Sequence, residues 1–163
     1  MSDPAVRRVG REGYTMFVGP AQPFETIQRQ VELYHQTLEE HGHSRPEDMV
    51  IVREFFCGDS RDEALARARR GFETKYRVYS QHGFQGTDEE LTNKMTGDLE
   101  GLMDDTFIVG SPQECVDQIG RYRELGFTQI SLRLFYPEMS QKEVLDQIEL
   151  VGKEVLPAVH GLG

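Results

Sequence analysis

Met49-Val50-Ile51-Val52-Arg53-Glu54-Phe55-Phe56 is apolar nearly throughout, broken by one charged pair, and it runs within a few residues into Ser60-x-x-Glu63. A strand buried on both faces reads this way, as the strands of parallel sheets do. The serine and glutamate fit a capping box, in which hydroxyl and carboxylate satisfy the free backbone N–H groups of a helix start. The same unit recurs eighty residues on, where Arg53-x-Phe55-Phe56-x-x-x-Ser60-x-x-Glu63 becomes Arg133-x-Phe135-Tyr136-x-x-x-Ser140-x-x-Glu143. It is one strand-loop-helix unit written twice.

Working outward, Tyr14–Val18 is a short apolar run closed by Gly19-Pro20. Phe24, Ile27, Val31, Tyr34 and Leu38 recur at helical steps and Gly42 is placed to end that helix. Leu65, Ala68, Phe72, Tyr76 and Tyr79 predict a helix from Ser60 to Gly83, with Gly71 inside it at a cost of about 1 kcal/mol relative to alanine. Residues 84–104 are polar and read as a helical excursion, either a lid or a solvated loop, with Thr87-x-x-Glu90 as its cap. Thr106–Val109 predicts a third strand, followed by a helix from Ser111-Pro112 carrying Val116, Ile119 and Tyr122. Thr128–Phe135 predicts a fourth strand, followed by a helix from Ser140 in which Pro157 forces a kink or an end. The order implies an α/β fold: one domain over 1–163 of four consecutive β-α units, a parallel sheet with right-handed crossovers. Such a set is half of an eight-unit barrel or a small open sheet.

The chain has 163 residues, with 18 Lys+Arg against 28 Asp+Glu and a net charge of −10. That balance opposes nucleic acid, which needs a basic face. No stretch approaches the ~20 apolar residues of a membrane span. Two cysteines, Cys57 and Cys115, are too few and too far apart for a disulfide framework or a zinc cluster, which favours a reduced, cytoplasmic setting. His41 and His43 lie near a helix end without a third ligand, and His35 and His82 lack a carboxylate at ligand spacing, so no metal site is expected. Cys115 falls in the first turn of a helix, where a thiol pKa is lowered, but no histidine is paired with it. No phosphate loop, dinucleotide fingerprint, HExxH or nucleophile elbow is present.

Phe107-Ile108-Val109-Gly110-Ser111-Pro112-Gln113-Glu114, then Tyr122-Arg123-Glu124-Leu125-Gly126, then Leu132-Arg133 and Glu154-Val155-Leu156-Pro157 resemble, in order and spacing, the C-terminal half of luciferase-like monooxygenases. The Val6-Arg7-Arg8 opening, Val52-Arg53-Glu54 and Glu63-Ala64 fit the same pattern. The resemblance implies half of a TIM-type (β/α)8 barrel about twice this length, using reduced FMN or the deazaflavin F420 on a small-molecule substrate. In many members the N-terminal half supplies an active-site histidine or acid, so no catalytic residue is named here.

On that footing Gly110 and Ser111, at a helix N-terminus, would hold a cofactor phosphate, although a helix cap accounts for Ser111 equally well. Arg53 and Arg133 sit inside apolar strands and need an anionic partner. They would clamp a cofactor tail, Arg133 above all because its strand is expected beside Gly110-Ser111. For Arg53 the alternative is a buried pair with Glu54 or Asp59. Phe55, Phe56, Phe135 and Tyr136 would wall the ring pocket or pack against helices. Four strands with helices on one side leave two edges and an apolar lumen face bare. A homodimer or a partner chain completing the barrel is therefore expected. Two functions remain open: an oxidoreductase so completed, or a non-catalytic half-barrel that self-associates.

Overall fold

The computed structural model describes residues 1–81 and 99–161. Its elements are α1 (Asp3–Arg11), β1 (Phe17–Val18), α2 (Phe24–Glu40), β2 (Val50–Cys57), α3 (Arg61–Gln81), α4 (Leu99–Thr106), β3 (Ile108–Gly110), α5 (Pro112–Glu124), β4 (Gln129–Arg133) and α6 (Gln141–Leu150). A π-helical turn over Val151–Val155 joins α6 to α7 (Leu156–His160). The wide turn lies just ahead of Pro157, which has no N–H to donate back into it. Most of the expected 84–104 excursion, with its Thr87 cap, lies outside the described residues. Its described end is α4, which takes in Thr106 and leaves β3 to begin at Ile108.

α1 was not expected as a helix, because two valines in nine residues make no readable stripe. Pro4 in its first turn, Asp3 at its start and Arg8 and Arg11 at its end suit it to the helix dipole. It packs on α2 at Gly10, where an added Cβ would lie 2.8 Å from the Thr37 Cβ.

β2 is the centre of the sheet, and every pairing is parallel. Val50 and Ile51 pair with Phe17 and Val18 of β1, while Val50 to Glu54 pair with Gln129 to Arg133 of β4. Since both use Val50 and Ile51, β1 and β4 flank opposite edges. β3 pairs with the upper end, Phe55 to Cys57. Backbone polar groups of alternate residues point to alternate edges. Met49 accepts from Thr128 and Gln129 on the β4 side, whereas Gly58 donates to Gly110. β3 therefore stands above β1, and β4 lies beside β2 rather than beside β3. This corrects the expected consecutive order. It also removes Arg133 from the neighbourhood of Gly110-Ser111, because β2 runs between them.

The reversal explains the helix layers. A right-handed crossover from β1 to β2, and another back from β2 to β3, place their helices on opposite faces. Accordingly Ile27, Val31, Tyr34 and Leu38 of α2 share one core with Ile51, Phe55, Cys57, Ile119, Val151 and Val155. Ala64, Ala68, Phe72 and Tyr76 of α3 share a second core with Phe56, Met103, Phe107, Val109 and Tyr136. The expectation of helices on one side only fails here. Among the described residues, those left exposed on the lower part of the α3 face are Phe17, 59% exposed, with Gln129 and Ser131. That patch is mixed rather than apolar.

Beyond β4 the edge of β2 is closed by side chains. The Tyr136 hydroxyl accepts from the Phe55 N–H at 2.7 Å, and the Gln147 amide brackets Cys57, accepting from its N–H at 2.9 Å and donating to its carbonyl at 2.7 Å. Gly71 faces Tyr136, where an added Cβ would lie 2.7 Å from the tyrosine Cβ, which accounts for a glycine inside α3.

Candidate functional site

Neighbouring residues of a strand face opposite ways, so Arg53 and Glu54 build two different environments. Glu54 is fully buried on the α3 face. Its Oε1 accepts from Lys75 Nζ at 2.5 Å and from the Tyr76 hydroxyl at 3.1 Å, with Arg133 Nη1 at 3.4 Å. Lys75 reaches it from α3 with its side chain 10% exposed, and Arg133 from β4 with 40% exposed. Burial lowers the Lys75 pKa, Glu54 opposes that shift, and the Arg133 charge adds to it. Burial also raises the Tyr136 pKa well above its usual value, and the Glu54 charge works the same way. Glu54 Oε2 has no hydrogen-bond partner among the described residues. The cluster spans the middle of β2 and the carboxyl end of β4, the strand end at which parallel α/β sheets receive ligands, and Arg133 lies two residues beyond Ser131 on the same face.

Arg53 lies on the other face. Its Nη1 donates to the carbonyls of Gly19 and Pro20 at 3.1 Å each, and its guanidinium stacks 4.7 Å from the Tyr122 ring centroid. Nε and Nη2 have no acceptor among the described residues, and burial lowers the Arg53 pKa. This arginine ties the β1–α2 turn and α5 to β2. It forms neither the expected pair with Glu54 nor a common clamp with Arg133.

Gly110 and Ser111 lie where expected, at the start of α5, but the Ser111 N–H and hydroxyl both donate to Glu114 Oε2 at 2.8 Å. The chain's own carboxylate thus occupies the helix N-terminus. The aromatics divide: Phe55 packs with α2 and α5, Phe56 and Tyr136 pack with α3, and Phe135 is exposed. His41 and His43 contact backbone carbonyls of Thr37 and Arg11. Among the described residues no three His, Cys, Asp or Glu side chains stand together for a metal, and no helix is long and apolar enough to cross a membrane.

Sequence reasoning missed Lys75 and Gln147. Tyr76 was legible as core by its helical step, but nothing in the spacing marks the lysine beside it. Glu54 was visible only as a neighbour of Arg53.

Residues 1–129 match the luciferase-like monooxygenase family, and the chain belongs to it. Among similar solved structures, monooxygenase RslO1 from Streptomyces bottropensis is 20% identical with a TM-score of 0.71, over 96% of this chain and 45% of that one. The oxygenating constituent of 3,6-diketocamphane monooxygenase from Pseudomonas putida, in complex with FMN, is 21% identical with a TM-score of 0.68, over 96% and 46%. The coenzyme F420-dependent tetrahydromethanopterin reductase from Methanopyrus kandleri is 22% identical with a TM-score of 0.62, over 96% and 48%. This chain therefore spans about half the length of the structures it matches. No curated protein matches it.

Proposed function

We propose that this chain contributes the C-terminal half of a luciferase-like oxidoreductase site, using reduced FMN or F420 on a small-molecule substrate. A second copy or a partner chain supplies the remaining half. The observation that carries this reading is the Glu54-Lys75-Arg133 cluster, whose Arg133 ends β4 and is partly exposed on the α3 face. Among the described residues two cations face this one carboxylate, in a protein of net charge −10. That donor set fits the phosphate-bearing tail of either cofactor. Bound there, the cofactor would supply hydride transfer or activation of O₂.

Arg133 would orient the anionic group by charge and hydrogen bonding. Glu54 would hold Lys75 and Arg133 in place, and Gln129 and Ser131 offer further polar groups on the same face. Gly110-Ser111 would take part only if Glu114 turns away, and Arg53 only if the Gly19-Pro20 turn rearranges. Two free cysteines suit a reducing, cytoplasmic setting.

Separate titrations with FMN and F420, followed by quenching of cofactor fluorescence, test the reading alongside light scattering on a sizing column. We expect saturable binding of one cofactor to a dimer or larger assembly, weakened about tenfold to a hundredfold in Arg133→Ala. No saturable binding by folded protein, or a monodisperse monomer, overturns it. The internal engagement of Ser111 and Arg53 favours the second reading, a self-associating half-barrel without catalysis, which an assembled protein blind to both cofactors would establish.

A further inference from the structure

Cys57 and Cys115 are remote in sequence and take no part in the site above. We propose that they form a two-electron oxidation site, a dithiol that closes to an intramolecular disulfide and bolts the start of α5 to the end of β2. Cys57 is the last residue of β2 and pairs in register with Gly110. Cys115 lies in the first turn of α5, its Sγ 3.6 Å from the Gly110 carbonyl and 4.0 Å from the carbonyl of Phe56, the residue bonded to Cys57. Both cysteines are buried in the same core cluster, with no other element between the end of β2 and the first turn of α5.

Hydrogen peroxide is the oxidant class the chemistry calls for. The Cys57 thiolate attacks one peroxide oxygen and the O–O bond breaks, leaving a sulfenic acid and a hydroxide that takes a proton to become water. The Cys115 sulfur then attacks the sulfenic sulfur, its proton leaving with the hydroxyl as a second water. Two thiols thus lose two protons and two electrons, and peroxide is reduced to two waters. Cys57 serves as the attacking member, because the Cys115 thiol is engaged by the Gly110 and Phe56 carbonyls while the Cys57 pKa is lowered, with Cys115 as the largest cause. Cys115 shifts upward, by Cys57 first and burial second. Entry needs only local opening, since β3 holds to β2 over three positions.

The reduced full chain is exposed to hydrogen peroxide, quenched with iodoacetamide in urea, and analysed by intact mass and non-reducing peptide mapping. The expected result is a loss of about 2 Da, joint loss of both alkylatable thiols, one Cys57–Cys115 cross-linked peptide and reversal by dithiothreitol. The unfolding constant should fall about 30- to 1,000-fold on oxidation. In Cys115→Ala a dimedone-trappable sulfenic acid should accumulate at Cys57. Thiols that both remain alkylatable, oxygen adducts on separate cysteines, or a cross-link between chains overturn the proposal. The mapping uses the unsubstituted protein, so a poorly folding variant does not remove the test.

Discussion

Replacing Glu54 by glutamine lowers the stability of the fold by about 3 kcal/mol at neutral pH. Glu54 is fully buried and Lys75 nearly so, and the 2.5 Å bond between them offsets the charge of each. Arg133, half out in solvent at 3.4 Å, adds little because its attraction is screened. The glutamine keeps the shape and leaves the ammonium facing a neutral amide.

The pH dependence follows from Lys75. Burial places its folded pKa below the unfolded value, so between the two the unfolded chain binds more protons and stability rises with pH. Glu54 opposes that lowering, so its loss moves the folded pKa further down and widens the window. Urea unfolding at neutral and at alkaline pH should therefore show the gap between Glu54→Gln and the parent shrinking as pH rises. The double variant Glu54→Gln with Lys75→Met should recover much of the loss. A penalty that stays constant with pH would mean that Lys75 is not the group left uncompensated.

Gln147→Met should also be strongly destabilising, by about 2–6 kcal/mol. Methionine matches the volume of glutamine, so the change removes hydrogen bonds without opening a cavity. It strips the Cys57 N–H and carbonyl of their partners at once, and each orphaned buried group costs about 1–3 kcal/mol. Hydrogen exchange at the Cys57 amide should accelerate together with the drop in the urea midpoint. Fast exchange at that amide in the parent protein would show that the bracket contributes nothing.

Legibility in the sequence followed the range of each interaction. Ser111-Glu114 and Ser140-Glu143 form reciprocal capping boxes as their spacing predicts, because every atom involved lies within one helical turn. The Ser60 hydroxyl also accepts from the Glu63 N–H, although the Glu63 carboxylate reaches the N–H of Asp59 instead. β2 read correctly as a strand buried on both faces, since its composition carries that information directly. In the candidate site, Arg133 was legible as a cation in an apolar strand, but its partners were not. Lys75 enters from a helix whose position against β2 no local spacing encodes.

Residue chemistry and period alone determined the element types, the helix caps and the parallel α/β class, for these arise from contacts a few residues apart. Tertiary structure decided that β4 docks on β2 and that Arg53 and Arg133 look away from each other. It also decided that Cys57 and Cys115 share one core. The physical reason is that docking an edge strand on one neighbour rather than another depends on crossover direction and on side chains such as Gln147 and Tyr136 closing the edge left over. Those energies exist only once distant segments have met.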